Sequence, residues 1–478
     1  MTAQNPESRT GNSVRNLTFS MIGKMADLIA RFVLRTVFIQ TLTQEYLGLS
    51  GLFSNILSFL SLAELGVGTA ITFSLYKPIE ENDEHQIAIL MRIYRKAYII
   101  IGIVVLVVGS LLTPFLPYFI ETMPDIPHLN LIYLLFVLNS GISYFYSYKS
   151  SFITANQKNY VVTNNSYLFS VITSIAQMII LKVSHNYIAY LVIQVILTFL
   201  TNVRISHLAD RMYPVLKEKT DDQLDEASKH TILSNVGAMI FQKIGMTVVF
   251  STDNLLLSKL FGLVVEGLYS NYSMIINAVE SVLYQFFNAI IASIGNLRVT
   301  ADEQRQNEVF YIVFFLNFWL YAFCAIAFGV LIDRFVAIWV GESYLMETVC
   351  VVFIVINFYL KGMRNSCSTF DNSYGLMNYN RYVPIPECII NIVTSVLIAE
   401  WIGPAGIFIG TTISTITTSL WREPYVLFKY GLKSSAAKYW KRFMLYAALT
   451  LGMYGLTMWI IGITHAGFVI SILLVILI

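Results

Sequence analysis

LTFSMIGKMADLIARFVLRTVFIQTL, from Leu17 to Leu42, is long and apolar enough to cross a bilayer, yet it carries Lys24, Asp27, Arg31 and Arg35. A spanning helix needs about 20 mainly apolar residues. Steps of three, four and four residues along a helix put all four charges on one face. A charge at the centre of such a helix costs about 2.5–3.5 kcal/mol on insertion scales, so this face must look into protein or water and not into lipid. One helix cannot hide it. The stretch therefore belongs to a bundle of spans.

The rest of the chain supplies that bundle. Apolar runs recur near 17–42, 46–76, 97–119, 130–150, 160–183 and 186–206, then near 231–258, 263–296, 309–332, 346–374, 382–402 and 405–427. A thirteenth lies near 443–462, and a fourteenth starts near Gly467 and reads as truncated at Ile478. Hydrophobic residues make up 56% and charged residues 13% of the chain, against roughly 25% charged in a soluble domain. That excludes an ordinary globular protein. A net charge of +2 gives no support to a nucleic-acid partner. The first run is too long and too charged for a cleavable signal peptide.

The positive-inside rule orients the runs. With the N-terminus in the cytoplasm, the inner loops collect most of the Lys and Arg, and only Lys182, Lys259 and Arg334 fall outside. The expected fold is an all-α integral membrane protein of about 14 spans in a bacterial cytoplasmic membrane. Residues 1–206 form an N-terminal six-helix lobe, 207–230 a cytoplasmic linker, 231–427 a second six-helix lobe, and 428–478 two additional C-terminal helices, the last incomplete. Sliding the first half by 219 residues brings Lys24 onto Lys243, Gly48 onto Gly267 and Ser74 onto Ser293. Six spans per half give both lobes one orientation, which implies a parallel repeat.

Further charges lie inside the runs. Lys243 and Asp253 fall in the seventh, and Lys361, Arg364 and Asp371 share one face of the tenth. Carboxylates add Glu64, Glu266, Glu280 and Glu387; Glu266 and Glu387 sit near run ends and read as interfacial. Structural ion pairs would account for an isolated pair, but four charges on one helix favour a face lining a cavity. Gly66, Gly68, Pro384 and Pro386 mark places where helices could bend, although close helix packing explains glycines equally well. The four cysteines and six histidines show no metal-ligand spacing, so no metal or cofactor is expected.

AELGVGTAITFSLYKPI (Ala63 to Ile79), STDNLLLSKLFG (Ser251 to Gly262), GLYSNYSMI (Gly267 to Ile275), IASIGNL (Ile291 to Leu297) and FDNSYGLMNYNRYVPIPECIINIVTSVLI (Phe370 to Ile398) resemble bacterial polysaccharide repeat-unit flippases. These belong to the superfamily that includes multidrug and toxin extrusion exporters and the lipid II flippase. The resemblance implies two six-helix lobes around a central cavity open alternately to each side. It also implies a polyprenyl diphosphate-linked oligosaccharide as substrate, with polysaccharide polymerase machinery as a partner. The diphosphate would meet Arg31 and Arg35, with Lys24, Lys243, Lys361 and Arg364 as further cations. Asp27, Glu64, Asp253, Glu280 and Asp371 would pair charge or couple Na⁺ or H⁺.

Chemistry points the same way. Arg binds phosphate oxygens through paired, charge-assisted hydrogen bonds, whereas an exporter of organic cations wants the opposite sign. The alternative is a cation-coupled multidrug antiporter of the same superfamily. An alternative of another class, a membrane enzyme acting on lipid-linked sugars, lacks an outer catalytic loop, a cytoplasmic catalytic domain and a Walker A segment. The sugar and the driving ion stay open.

Overall fold

The computed structural model describes residues 6–61, 67–217, 226–464 and 467–477. Side chains are described from Met21 onward, except at 67, 69–71, 73, 226–251, 288–289, 292, 299 and 377–378. The described residues are helical, with no strand among them. In chain order the helices are α1 (Pro6–Thr41), α2 (Gln44–Leu60), α3 (Val67–Glu81), α4 (Glu84–Leu111), α5 (Leu129–Tyr144), α6 (Ser147–Ala155), α7 (Asn159–Ser184), α8 (Tyr187–Met212) and α9 (Glu226–Thr300). They continue with α10 (Glu303–Val340), α11 (Thr348–Tyr374), α12 (Met377–Asn380), α13 (Pro384–Ile402), α14 (Ala405–Thr417), α15 (Ser419–Val426), α16 (Ala437–Thr464) and α17 (Phe468–Leu477).

The chain is an all-α integral membrane protein. Among the described residues seven helices are long and apolar enough to cross a membrane on composition alone, or eight if α5 and α6, bent by 41°, form one span. The charged α1 is not one of the seven. Two compact units divide the chain, one of Met1–Tyr46 with Phe53–Thr247, the other of Leu47–Leu52 with Val248–Ile478.

Helices outrun the apolar stretches that reveal them, because capping groups keep their polar ends wound. Asp83 accepts a hydrogen bond from the Gln86 backbone N–H and starts α4 well before residue 97. Asp302 does the same for Arg305 in α10, at 2.8 Å. Such caps stabilise a helix by about 1 kcal/mol. Helix α8 likewise runs on through His207 and Asp210 to Met212. Lys149 of α6 reaches Asp210 at 2.7 Å and Ser206 at 2.9 Å, which gives that polar turn a buried partner.

Run 46–76 contains α2 and α3, with 62–66 outside the described residues. The seventh and eighth runs stay distinct within α9, which kinks at Gly262, between the expected 231–258 and 263–296; its φ of 83° suits a residue without a Cβ. Run 405–427 splits at Thr418, where φ −121° and ψ −85° leave the helical region. Pro384 and Pro386 do not bend α13; they fall in its first turn, where a missing N–H leaves no hydrogen bond unmade.

Each unit has its own core. In the first, Leu90, Tyr94, Tyr98 and Phe152 pack between α4 and α6. In the second, Phe310, Phe314, Phe370, Phe428 and Tyr439 interlock at centroid distances of 4.8–5.9 Å. Aromatic pairs of this kind contribute about 0.5–1.5 kcal/mol each beyond area burial.

Candidate functional site

In the first unit, α1 packs on α7 and brings its charged face against Tyr167 and Ser170. Asp27 is the buried member of the group, 1% exposed. Its carboxylate accepts from Arg31 Nε at 2.8 Å and from Ser170 Oγ, with Lys24 Nζ at 3.9 Å. Arg31 also donates to Ser170 Oγ at 3.2 Å. Even so, the Arg31 side chain remains 58% exposed, so Asp27 and Ser170 hold one edge of the guanidinium and leave the other available.

Arg35 lies one turn farther along α1. It and Arg31 both act electrostatically on the Tyr190 phenol, whose ring stacks on Tyr187 and meets Phe38 edge-on at 5.6 Å. The arrangement is a positively biased polar surface with an aromatic floor. Two guanidiniums one turn apart match a ligand with several anionic oxygens.

Charged residues of the second unit are distributed differently. Lys361 pairs with Glu280 at 2.7 Å and stays 47% exposed. Arg364 is held on two sides, by Glu423 at 2.6 Å and Glu387 at 3.6 Å. Glu387 is buried among neighbouring helices, accepting from Ser419 and from Thr415 at 3.4 Å. Its place at the start of α13 is covered by α14 and α15. Glu266 is likewise buried, 1% exposed, against the α2 residue Gly51.

Asp371 shares a helix face with Arg364 but bonds Asn380 at 3.0 Å. Asp253 accepts from Thr411 Oγ1 at 2.8 and 2.9 Å, and Asn391 reaches both, at 3.5 Å from Asp253 and 2.8 Å from Thr411. This is a hydrogen-bonded, oxygen-rich cluster joining α9, α13 and α14. Glu64 lies outside the described residues, as does the side chain of Lys243.

The fold resembles solved membrane transporters. The lipid II flippase MurJ in an inward closed conformation matches with a TM-score of 0.65 and 12% identity, over 97% of this chain and 96% of that one. A MATE transporter of Vibrio cholerae matches at 0.61 and 13%, over 89% and 99%. A MOP superfamily transporter of Pyrococcus furiosus, described as having a binding pocket of reverse polarity, matches at 0.53 and 12%, over 88% and 96%. At these identities the likeness is one of fold. No family model and no curated protein matches the chain.

Proposed function

We propose that this chain exports a polyprenyl diphosphate-linked oligosaccharide repeat unit across a bacterial cytoplasmic membrane by alternating access, supplying polysaccharide biosynthesis and its polymerase. The observation that carries this reading is the half-free guanidinium of Arg31, anchored by buried Asp27, with Arg35 one turn on. A fold common to a lipid II flippase and MATE transporters does not choose the substrate. The sign of charge at the binding surface must do so, and on the α1 face of Lys24, Asp27, Arg31 and Arg35 three cations outnumber one carboxylate.

Arg31 and Arg35 bind the diphosphate in this reading, with Lys24, Lys243 and exposed Lys361 along its path, while Arg364 ties α11 to α13 and α15. Asp253, beside Thr411 and Asn391, is the place for a coupling Na⁺ or H⁺, with Glu280 and Asp371 as further carboxylates. The lobes are 1–206 and 231–427, joined through 207–230, with both termini of each lobe in the cytoplasm.

The test is transport in proteoliposomes, offering a lipid diphosphate sugar against cationic dyes. The expected result is flipping of the lipid, and no dye export. Dye export driven by Na⁺ or H⁺, without lipid diphosphate binding, would replace this reading with a multidrug antiporter.

A further inference from the structure

A second candidate site lies within the second unit, between α10 and α16. There a groove of about 710 Å³ opens between the first turns of the two helices. Arg305, Lys438 and Arg442 line it together with Ile312, Phe315 and Leu316. Lys438 and Arg442 lie one turn apart, and both sit over the buried ring of Tyr311, at 4.6 and 4.5 Å from its centroid. Among the described residues neither has a carboxylate within 4.0 Å; Arg305 is paired with Glu308 at 3.0 Å.

The order of chemistry along the groove is that of a lipid. From Arg305 to Phe315 the wall passes from charged to apolar over about 15 Å of helix, at 1.5 Å per residue. Ile312 and Phe315 are 55% and 50% exposed, and on α16 Met444, Leu445 and Leu449 continue the apolar surface past Arg442. Cations held on an aromatic ring lose less freedom on binding than free side chains. We infer that this groove binds a resident anionic glycerophospholipid, its phosphate between Lys438 and Arg442 and its acyl chains along Ile312, Phe315 and Leu316. Charge complementarity selects the occupant: two unpaired cations above an apolar wall fit one phosphate ester and two chains. The lipid belongs to the leaflet that the Lys and Arg distribution reads as cytoplasmic, where anionic headgroups attract such clusters.

The test uses the full chain in nanodiscs of equal parts phosphatidylglycerol and phosphatidylcholine, followed by release and native mass spectrometry of retained lipid. Wild-type protein retains phosphatidylglycerol over phosphatidylcholine. The Lys438→Gln, Arg442→Gln pair lowers that preference roughly tenfold, while the matched-charge pair Lys429→Gln, Lys441→Gln, outside the groove, leaves it unchanged. Should the first pair fail to fold, Leu316→Trp narrows the groove with every charge in place and lowers retention likewise. Equal loss in both charge pairs, or no preference in wild type, overturns the site. Displacement of phosphatidylglycerol by added polyprenyl diphosphate, abolished by the Lys438, Arg442 pair, assigns the groove to the transport substrate and overturns it as well.

Discussion

At Arg31 a single side chain has two tasks, because one edge of its guanidinium is fixed by Asp27 and Ser170 while the other stays open. Lysine keeps the charge but loses the planar fork. Arg31→Lys is therefore expected to slow lipid flipping several-fold, and Arg31→Ala by about ten- to a hundredfold, the weight of one lost hydrogen bond between charged groups. Rates in proteoliposomes at matched protein level check both; a wild-type rate in Arg31→Ala excludes the site. Asp27 acts earlier, on assembly. Asp27→Ala removes the acceptor shared by Arg31 and Ser170 and should cut the amount of monodisperse protein extracted from membranes, whereas Asp27→Asn, which keeps the shape, should cut it less. Normal yield with lost transport would make Asp27 a coupling group instead. The reach from Asp27 to Lys24 and Arg31 is readable from spacings of three and four on one helix. Ser170 and Tyr190 are not readable, since they arrive from α7 and α8, and Ser170 is 143 residues from Asp27 in sequence. Glu387 shows the same limit: its position near a run end is readable, but not that Arg364, Ser419 and Thr415 come from three other helices to bury it.

Helices α13 and α14 show how small residues position the cluster around Asp253. A Cβ at Gly406 would run into the backbone of Ala399, and one at Gly410 into that of Ser395. Two glycines four apart thus face two small residues four apart, and the backbones meet closely, as in other small-residue membrane pairs. Thr411, next to Gly410, is thereby set against Asn391 and Asp253. Gly410→Leu is expected to force the pair apart at a cost of about 1–3 kcal/mol, seen as a lower melting temperature in detergent, and to weaken any stabilisation by Na⁺ that wild type shows. A melting temperature equal to wild type would mean the helices are not held by this contact. Glycine spacing is legible in sequence, but its partner face is not, because Ser395 and Ala399 become neighbours only after the turn at Gly403, where φ is 73°. The break at Thr418 escapes hydropathy for a related reason, since it interrupts a run whose apolar character is continuous, whereas the kink at Gly262 falls between two expected runs.

For the whole molecule, the all-helical membrane fold was legible because hydropathy and charge act over many residues at once, so errors at single positions cancel. Substrate and driving force are set by a few side chains and by the field across the membrane, which no hydropathy profile records. That field yields the last prediction. A lipid diphosphate is anionic, so moving it from a negative inside to a positive outside releases about 2.3 kcal/mol per net charge per 100 mV across the full field. Arg31 and Arg35 stay with the protein and do not cancel that work, whereas a co-transported Na⁺ or H⁺ would cancel it charge for charge. Flipping from the inner to the outer leaflet should then accelerate when a K⁺ gradient makes the inside negative, and slow when the gradient is reversed. A cation carried inward against the lipid, bound at Asp253, would add to the acceleration, and Asp253→Asn would remove that added part while leaving the remainder. The measurement is the initial flipping rate in oriented proteoliposomes at several clamped potentials, with and without Na⁺ and at two pH values. A rate indifferent to potential in every condition would mean that the transported complex is electroneutral, and would move the coupling cation from counter-transport to co-transport with the lipid.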